Sequence, residues 1–173
     1  LLNGKIYGTC YTGPQEIFGT PYGTLWEYDP STSVYSAKVI FSNANNGANG
    51  RAPVSSPVAY NGKLYGLTTN GGANDYGVLY EYDPVTNIYS KKDIQSMGAG
   101  AYPDGELTLF NNKFYGMLGN GGIGNNGIIF SYDPATSALT KLYDINNIGG
   151  AAPVSYFTVY NNKLYGTTTG GGA

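Results

Sequence analysis

The sequence predicts an all-β protein, and three observations carry that prediction. First, the 173 residues include 27 Gly and 18 Tyr. Gly serves turns of positive φ, whereas Tyr favours half-buried strands. Second, one phrase returns along the chain: NGKIYG from Asn3, NGKLYG from Asn61, NNKFYG from Asn111 and NNKLYG from Asn161, spaced 58, 50 and 50 residues apart. A fixed period of this length marks a stack of supersecondary units. Third, the eight additional residues of the first unit fall in two loops, TGPQEIFGTPYG and FSNANNGANGRAPVSS. Insertions confined to loops leave the repeated strands intact.

The units are read as 3–60, 61–110, 111–160 and an incomplete 161–173, all within one domain spanning 1–173. The unit around Gly105 shows the elements in order. ELTLF and KFYG are two runs joined by Asn111-Asn112, a tight-hairpin signal because Asn tolerates positive φ. The loop GNGGIGNNG follows, then the run GIIFSYDP. The turn DPAT comes next: Pro134 presets φ, and Asp133 can accept hydrogen bonds from the backbone ahead of it. ALTKLYDI closes the unit as a fourth run. The third runs are apolar on both faces (Val78, Leu79, Tyr80 and Tyr82; Ile128, Ile129, Phe130 and Tyr132). A sheet of that kind must be covered on both sides. Four-stranded antiparallel meanders stacked around an axis satisfy this, so the expected architecture is a β-propeller. Thirteen strands are expected, about three and a half blades. The chain is therefore expected to be a sector of a larger ring.

Strand parity sorts the connections. The short links NGK or NNK and DPST, DPVT or DPAT share one end of the sheets. The long links, Thr12 to Tyr22, Asn70 to Tyr76, Gly119 to Asn126, Ser42 to Ser56, Gln95 to Asp104 and Asn146 to Ala152, share the other. Binding residues concentrate on loops held by a rigid scaffold, so the long-loop end is the expected binding face. Tyr11, Tyr22, Asn74, Asp75, Tyr76, Tyr102, Asn125, Asn126 and Tyr156 are its candidate ligand-binding residues. Aromatic faces suit sugar rings, and amides suit their hydroxyls.

Composition narrows the chemistry. With no histidine, neither a Ser-His-Asp nor a Cys-His site can be assembled from these residues. No catalytic residue, metal site or cofactor is expected. Calcium is the one ion left open for the loops TNGGANDYG, GNGGIGNNG and NANNGANG: they offer carbonyl and amide oxygens, but it wants several oxygen ligands, usually with more than one carboxylate, and Asp75 is the one carboxylate there. Asp29, Asp83 and Asp133 recur before Pro and read as turn residues. Glu27 and Glu81 read as solvated strand positions, and Cys10 as a small buried thiol. A net charge of −2 without a basic stripe argues against nucleic acid. No apolar run is long enough to span a membrane as a helix.

GKLYG followed by Gly71-Gly72 and GVLYEYDP resembles a kelch repeat, with further doublets at Gly121-Gly122 and Gly171-Gly172. LYGLTTNGGANDYGVLYEYDP and LYGTTTGGGA resemble more closely the bacterial extracellular tandem repeat of the Gloeobacter/Verrucomicrobia type. That resemblance implies a secreted or surface-attached bacterial propeller and no particular ligand. The expected function is a non-catalytic recognition or display module that binds carbohydrate or protein through the long-loop face. Export or surface-anchoring machinery is a further expected partner. Two alternatives stand beside it: a glycan-active enzyme with its catalytic carboxylates in other blades (Asp104 and Glu106 being the local candidates), and a purely structural adhesin segment.

Overall fold

The computed structural model describes residues 1–12, 21–42, 47–98 and 100–172. Much of the first unit's two longer loops, 13–20 and 43–46, lies outside these residues. Every strand pairing is antiparallel. The first sheet runs β1 (Ile6–Cys10), β2 (Pro21–Asp29), β3 (Val34–Ser42). In the second, β4 (Arg51–Pro53) and β5 (Val58–Tyr60) both pair with β6 (Lys63–Asn70), followed by β7 (Val78–Asp83) and β8 (Ile88–Asp93). The third repeats this with β9 (Gly100–Pro103), β10 (Thr108–Phe110), β11 (Lys113–Gly121), β12 (Ile128–Asp133) and β13 (Ala138–Asp144). Beyond it, β14 (Ala151–Pro153) pairs with β17 (Thr168–Gly170), and β15 (Thr158–Tyr160) pairs with β16 (Lys163–Tyr165).

The structure corrects the sequence reading of the first run in each unit. That run is two strands, not one, interrupted at 54–57, 104–107 and 154–157. Its leading pieces, β4, β9 and β14, fall in segments assigned from sequence to loops. Each ends on a proline, Pro53, Pro103 or Pro153. Proline is admissible there because the piece lies at a sheet edge.

Local chemistry explains the turns. Asn61-Gly62 and Asn111-Asn112 hold φ of 48° and 76°, and of 48° and 59°. Two successive positive φ values define the type I′ hairpin, whose twist matches that of the strands it joins. Asp83 Oδ1 accepts the Val85 and Thr86 N–H groups at 2.9 and 3.2 Å. Asp29 and Asp133 accept those of Ser31 and Ala135 at 2.9 and 3.0 Å. The recurring Asp-Pro is therefore turn chemistry, as read.

The Gly of each YG also has a physical reason. Gly8, Gly66 and Gly116 stand opposite Trp26, Tyr80 and Phe130 in register. Each partner ring lies across its glycine: a Cβ added at Gly116 would meet Phe130 Cζ at 2.5 Å. The bare glycine makes room for an aromatic ring on its own sheet.

Sheets pack face on face. Tyr7, Leu25 and Phe41 of the first sheet bury against Leu64, Tyr80 and Tyr82 of the second. The opposite face of the second sheet, through Tyr65, Leu67 and Leu79, packs on Phe114, Leu118, Ile128 and Phe130 of the third. The outer strands β8 and β13 are largely exposed. Among the described residues no sheet packs on the first sheet's face equivalent to that of Tyr80 and Tyr82, and two expectations fail for local reasons. Cys10 is exposed, whereas Thr68 and Leu118, its equivalents in register, are fully buried beneath a neighbouring sheet. Glu27, on the inner face beside Tyr7, is 6% exposed instead of solvated. It accepts the Tyr7 hydroxyl at 2.6 Å and pairs with Lys5 and Lys38 at 2.9 and 3.2 Å. Burial pushes its carboxyl up, but these donors outweigh burial and hold it below the usual value.

Candidate functional site

The long connections gather at one end of the sheets, as strand parity requires. Ile94 N–H reaches Gly77 O and Ile145 N–H reaches Gly127 O, at 3.1 and 2.9 Å, tying each loop to the next within a unit. Neighbouring sheets are stitched there as well. Tyr102 N–H donates to Tyr76 O, and Ala152 N–H to Asn126 O, at 3.0 and 2.9 Å. Gly77 and Gly127, at φ of 92° and 104°, lie under Pro103 and Pro153 of the next sheet. A side chain at Gly77 would meet the Pro103 ring at 2.8 Å, so the seam between sheets closes only over glycine.

At the first seam, where Gly23 lies under Pro53, an ion pair stands among the loops. Arg51 donates through Nε to Asp75 Oδ1 at 3.0 Å, with a second contact from its terminal nitrogen to Oδ2. The guanidinium lies 5.2 Å from the centre of the Tyr22 ring, within reach of a cation–π contact. Asp75 Oδ1 also accepts the Gly71 N–H at 2.7 Å. Burial pushes the Asp75 carboxyl up, but Arg51 and the Gly71 N–H hold it below its ordinary value. Asp75 is thus a loop lock, and a calcium ion would have to displace Arg51 to reach it.

At the second seam the corresponding positions carry other residues. Ala101 pairs with Asn120 as Arg51 pairs with Asn70. Asn125 accepts the Gly121 N–H at 2.7 Å, in the manner of Asp75. Tyr76 takes the place of Tyr22 and meets Tyr102 edge to face, with ring centres 5.7 Å apart. The connection from β8 turns through a single 3-10 turn, Ile94–Met97, that ends on Gly98 at φ 66°. A cleft of about 430 Å³ opens here, lined by Tyr76, Gln95, Gly98, Gly100, Ala101, Tyr102, Asn120, Gly121 and Asn125. Gln95 Oε1 is buried without a hydrogen-bond partner.

Of the residues selected from sequence, Tyr76, Tyr102 and Asn125 come together in this cleft. Tyr22 and Asp75 belong to the first seam, with Arg51 between them. Asn126 contributes its backbone carbonyl to the third seam and its side chain to Ile123 O at 3.3 Å. Asn74 is exposed. Tyr11 and Tyr156 are 59% and 56% exposed. Tyr156 sits in the break between β14 and β15, away from the long loops. Gln95 and Asn120 were not selected. Lining up the units would have pointed to them, because Asn120 faces the position where Arg51 becomes Ala101. Among the described residues no group of His, Cys, Asp or Glu side chains is placed to hold a metal ion. No helix among them is long and apolar enough to cross a membrane. Of the two carboxylates considered for an acid pair, Asp104 is exposed, while burial pushes the Glu106 carboxyl up.

Fold and loop end together define an all-β tandem-repeat protein whose antiparallel sheets present their long connections at one end. The family model of the Gloeobacter/Verrucomicrobia repeat matches residues 2–173, and the chain belongs to that family. No curated protein matches the chain.

Proposed function

We propose that the chain is part of a β-propeller with units 3–60, 61–110, 111–160 and 161–173 as kelch-like, four-stranded blades, the last incomplete. It serves as a non-catalytic recognition or display module of a secreted or cell-surface bacterial protein, and it uses no cofactor. The binding face is the long-loop end, and the ligand is a carbohydrate or a surface protein.

One observation carries this reading: the loop end of a stack of sheets holds an open cleft with an aromatic pair and the side-chain amides of Gln95, Asn120 and Asn125. Clefts lined by aromatic side chains and a few placed polar groups are the usual form of small-ligand sites. The face-on-face packing and the 50-residue period of the later units support the propeller. Amide chemical shifts of the isotope-labelled chain, titrated with soluble cell-surface polysaccharides and surface-protein fractions, test the recognition role. Saturable shifts confined to residues around 22, 70–77, 95–102 and 119–127 are expected. Saturable binding confined to the opposite, short-turn end would overturn the reading, as would the absence of any binding.

A further inference from the structure

The two complete seams differ by an exchange of charge for space. At the first, Arg51 and Asp75 meet beside Tyr22. At the second, Ala101 and Asn125 hold the same register positions, and both line the cleft. We infer that this cleft is a binding site for one ring of a neutral sugar, an inference that rests on the recognition role proposed above.

The lining contains no Asp, Glu, Lys or Arg. A charged ligand group entering it would lose water without gaining a counter-charge, which is costly. The polar groups present are amides and glycine backbone. Asn125 spends its oxygen on Gly121 N–H, which leaves its amide nitrogen as a donor. Gln95, half-buried on the cleft wall, adds a second side-chain amide. Sugar hydroxyls both donate and accept, so amides of this kind match them. The Tyr76 and Tyr102 rings stand at 78° to one another, an arrangement that pairs an aromatic face with an aromatic edge. The C–H face of a pyranose is apolar and its rim polar, which suits a ring wall with amides beside it. The volume falls within the range of about 300–1,000 Å³ typical of small-ligand pockets.

Tyr102 adds a second, independent observation. It holds φ at 57°, as Ala52 and Ala152 hold 55° and 49° at the equivalent positions. The conformation is therefore imposed by the repeat, but of the three positions only the one at the seam with the cleft carries a bulky aromatic residue. A non-glycine residue in this conformation costs about 1–3 kcal/mol, and such costs cluster at ligand sites.

The test uses calorimetric titration of the full chain with soluble cellotetraose, xylotetraose and chitotetraose. Anionic tetragalacturonate and an uncharged Gly/Ser/Asn hexapeptide serve as contrasts. The informative variant is the double substitution Ala101→Arg/Asn125→Asp, which installs the residues of the first seam's ion pair at the equivalent positions. A second variant, Tyr76→Ala, removes one ring. At least one neutral tetrasaccharide is expected to bind. Either variant should weaken binding about tenfold or more, equivalent to losing one good contact. Preference for tetragalacturonate or for the peptide overturns the assignment of ligand class. Undiminished sugar binding by the folded double variant overturns the assignment of the cleft and leaves the recognition role standing. No binding of any tetrasaccharide overturns the inference, while the shift titration with surface proteins decides the recognition role separately.

Discussion

The first and second seams rest on the same framework and end on different chemistry. Each places a glycine under the proline of the next sheet, and each locks its long loop through an acceptor four residues beyond a glycine N–H (Asp75 for Gly71, Asn125 for Gly121). Above that framework, Arg51 and Asp75 pair at the first seam, whereas Ala101 and Asn125 line a cleft at the second. Repeats thus hold the fold constant while two side chains set whether a junction carries a charged or a neutral lock.

The largest effects should come from the framework beneath both seams. Phe114 is fully buried between the second and third sheets, against Tyr60, Tyr65 and Tyr132. Phe114→Ala should cost about 3–5 kcal/mol in urea unfolding. Gly116→Val, which drives a side chain into the Phe130 ring, should cost about 3 kcal/mol. A loss below about 1 kcal/mol for both would mean that the sheets are not packed as described.

The next effects separate the seams. Asp75→Ala removes the partner of Arg51 and the acceptor of Gly71 N–H, and should cost about 2 kcal/mol. Asn125→Ala removes only the acceptor of Gly121 N–H, and should cost about 1 kcal/mol. Equal losses by thermal melting would erase the distinction between a charged and a neutral lock.

The smallest effect is one of pH. The folded Asp75 carboxyl titrates below its ordinary value of 3.8, so its stabilisation is complete above that value. It is lost as the pH falls through 3.8 and on through the lower folded value. The stability difference between the wild-type chain and Asp75→Asn should shrink across that interval, from about 1 kcal/mol or less for a half-exposed pair. The neutral lock at Asn125 has no such dependence, and Asn125→Ala should lose the same stability at pH 3 as at pH 7. A pH-independent Asp75→Asn difference would contradict the ion pair.

Turns and register were legible in the sequence because their chemistry is local. Asn61-Gly62 and Asp83-Pro84 specify their backbone without outside help. The alternation of β6 and β7, apolar on both faces, announced two-sided packing before any neighbour was known. The short strands β4, β9 and β14 were hidden because three or four residues ending in proline carry no periodicity, and only pairing to a later strand makes them strands. Cys10 and Glu27 were misread because their surroundings are set by which sheet covers them and by Lys5, Lys38 and Tyr7, not by their own neighbours along β1 and β2. Three of the selected residues, Tyr76, Tyr102 and Asn125, do line the cleft, but residue type alone could not separate them from Tyr11 or Tyr156. The signal that does so is comparative: Arg51 with Asp75 in one unit against Ala101 with Asn125 in the next.

The equivalence of the seams is tested most directly by a double-mutant cycle at positions 101 and 125. Urea unfolding of the wild-type chain, Ala101→Arg, Asn125→Asp and the double variant yields the coupling between the two sites. Equivalent seams predict a favourable coupling of about 0.5–1 kcal/mol, weakened by salt, as the introduced guanidinium and carboxylate find one another across the cleft. Additive effects, unchanged by salt, would contradict the account, because positions 101 and 125 would then not stand to each other as Arg51 stands to Asp75.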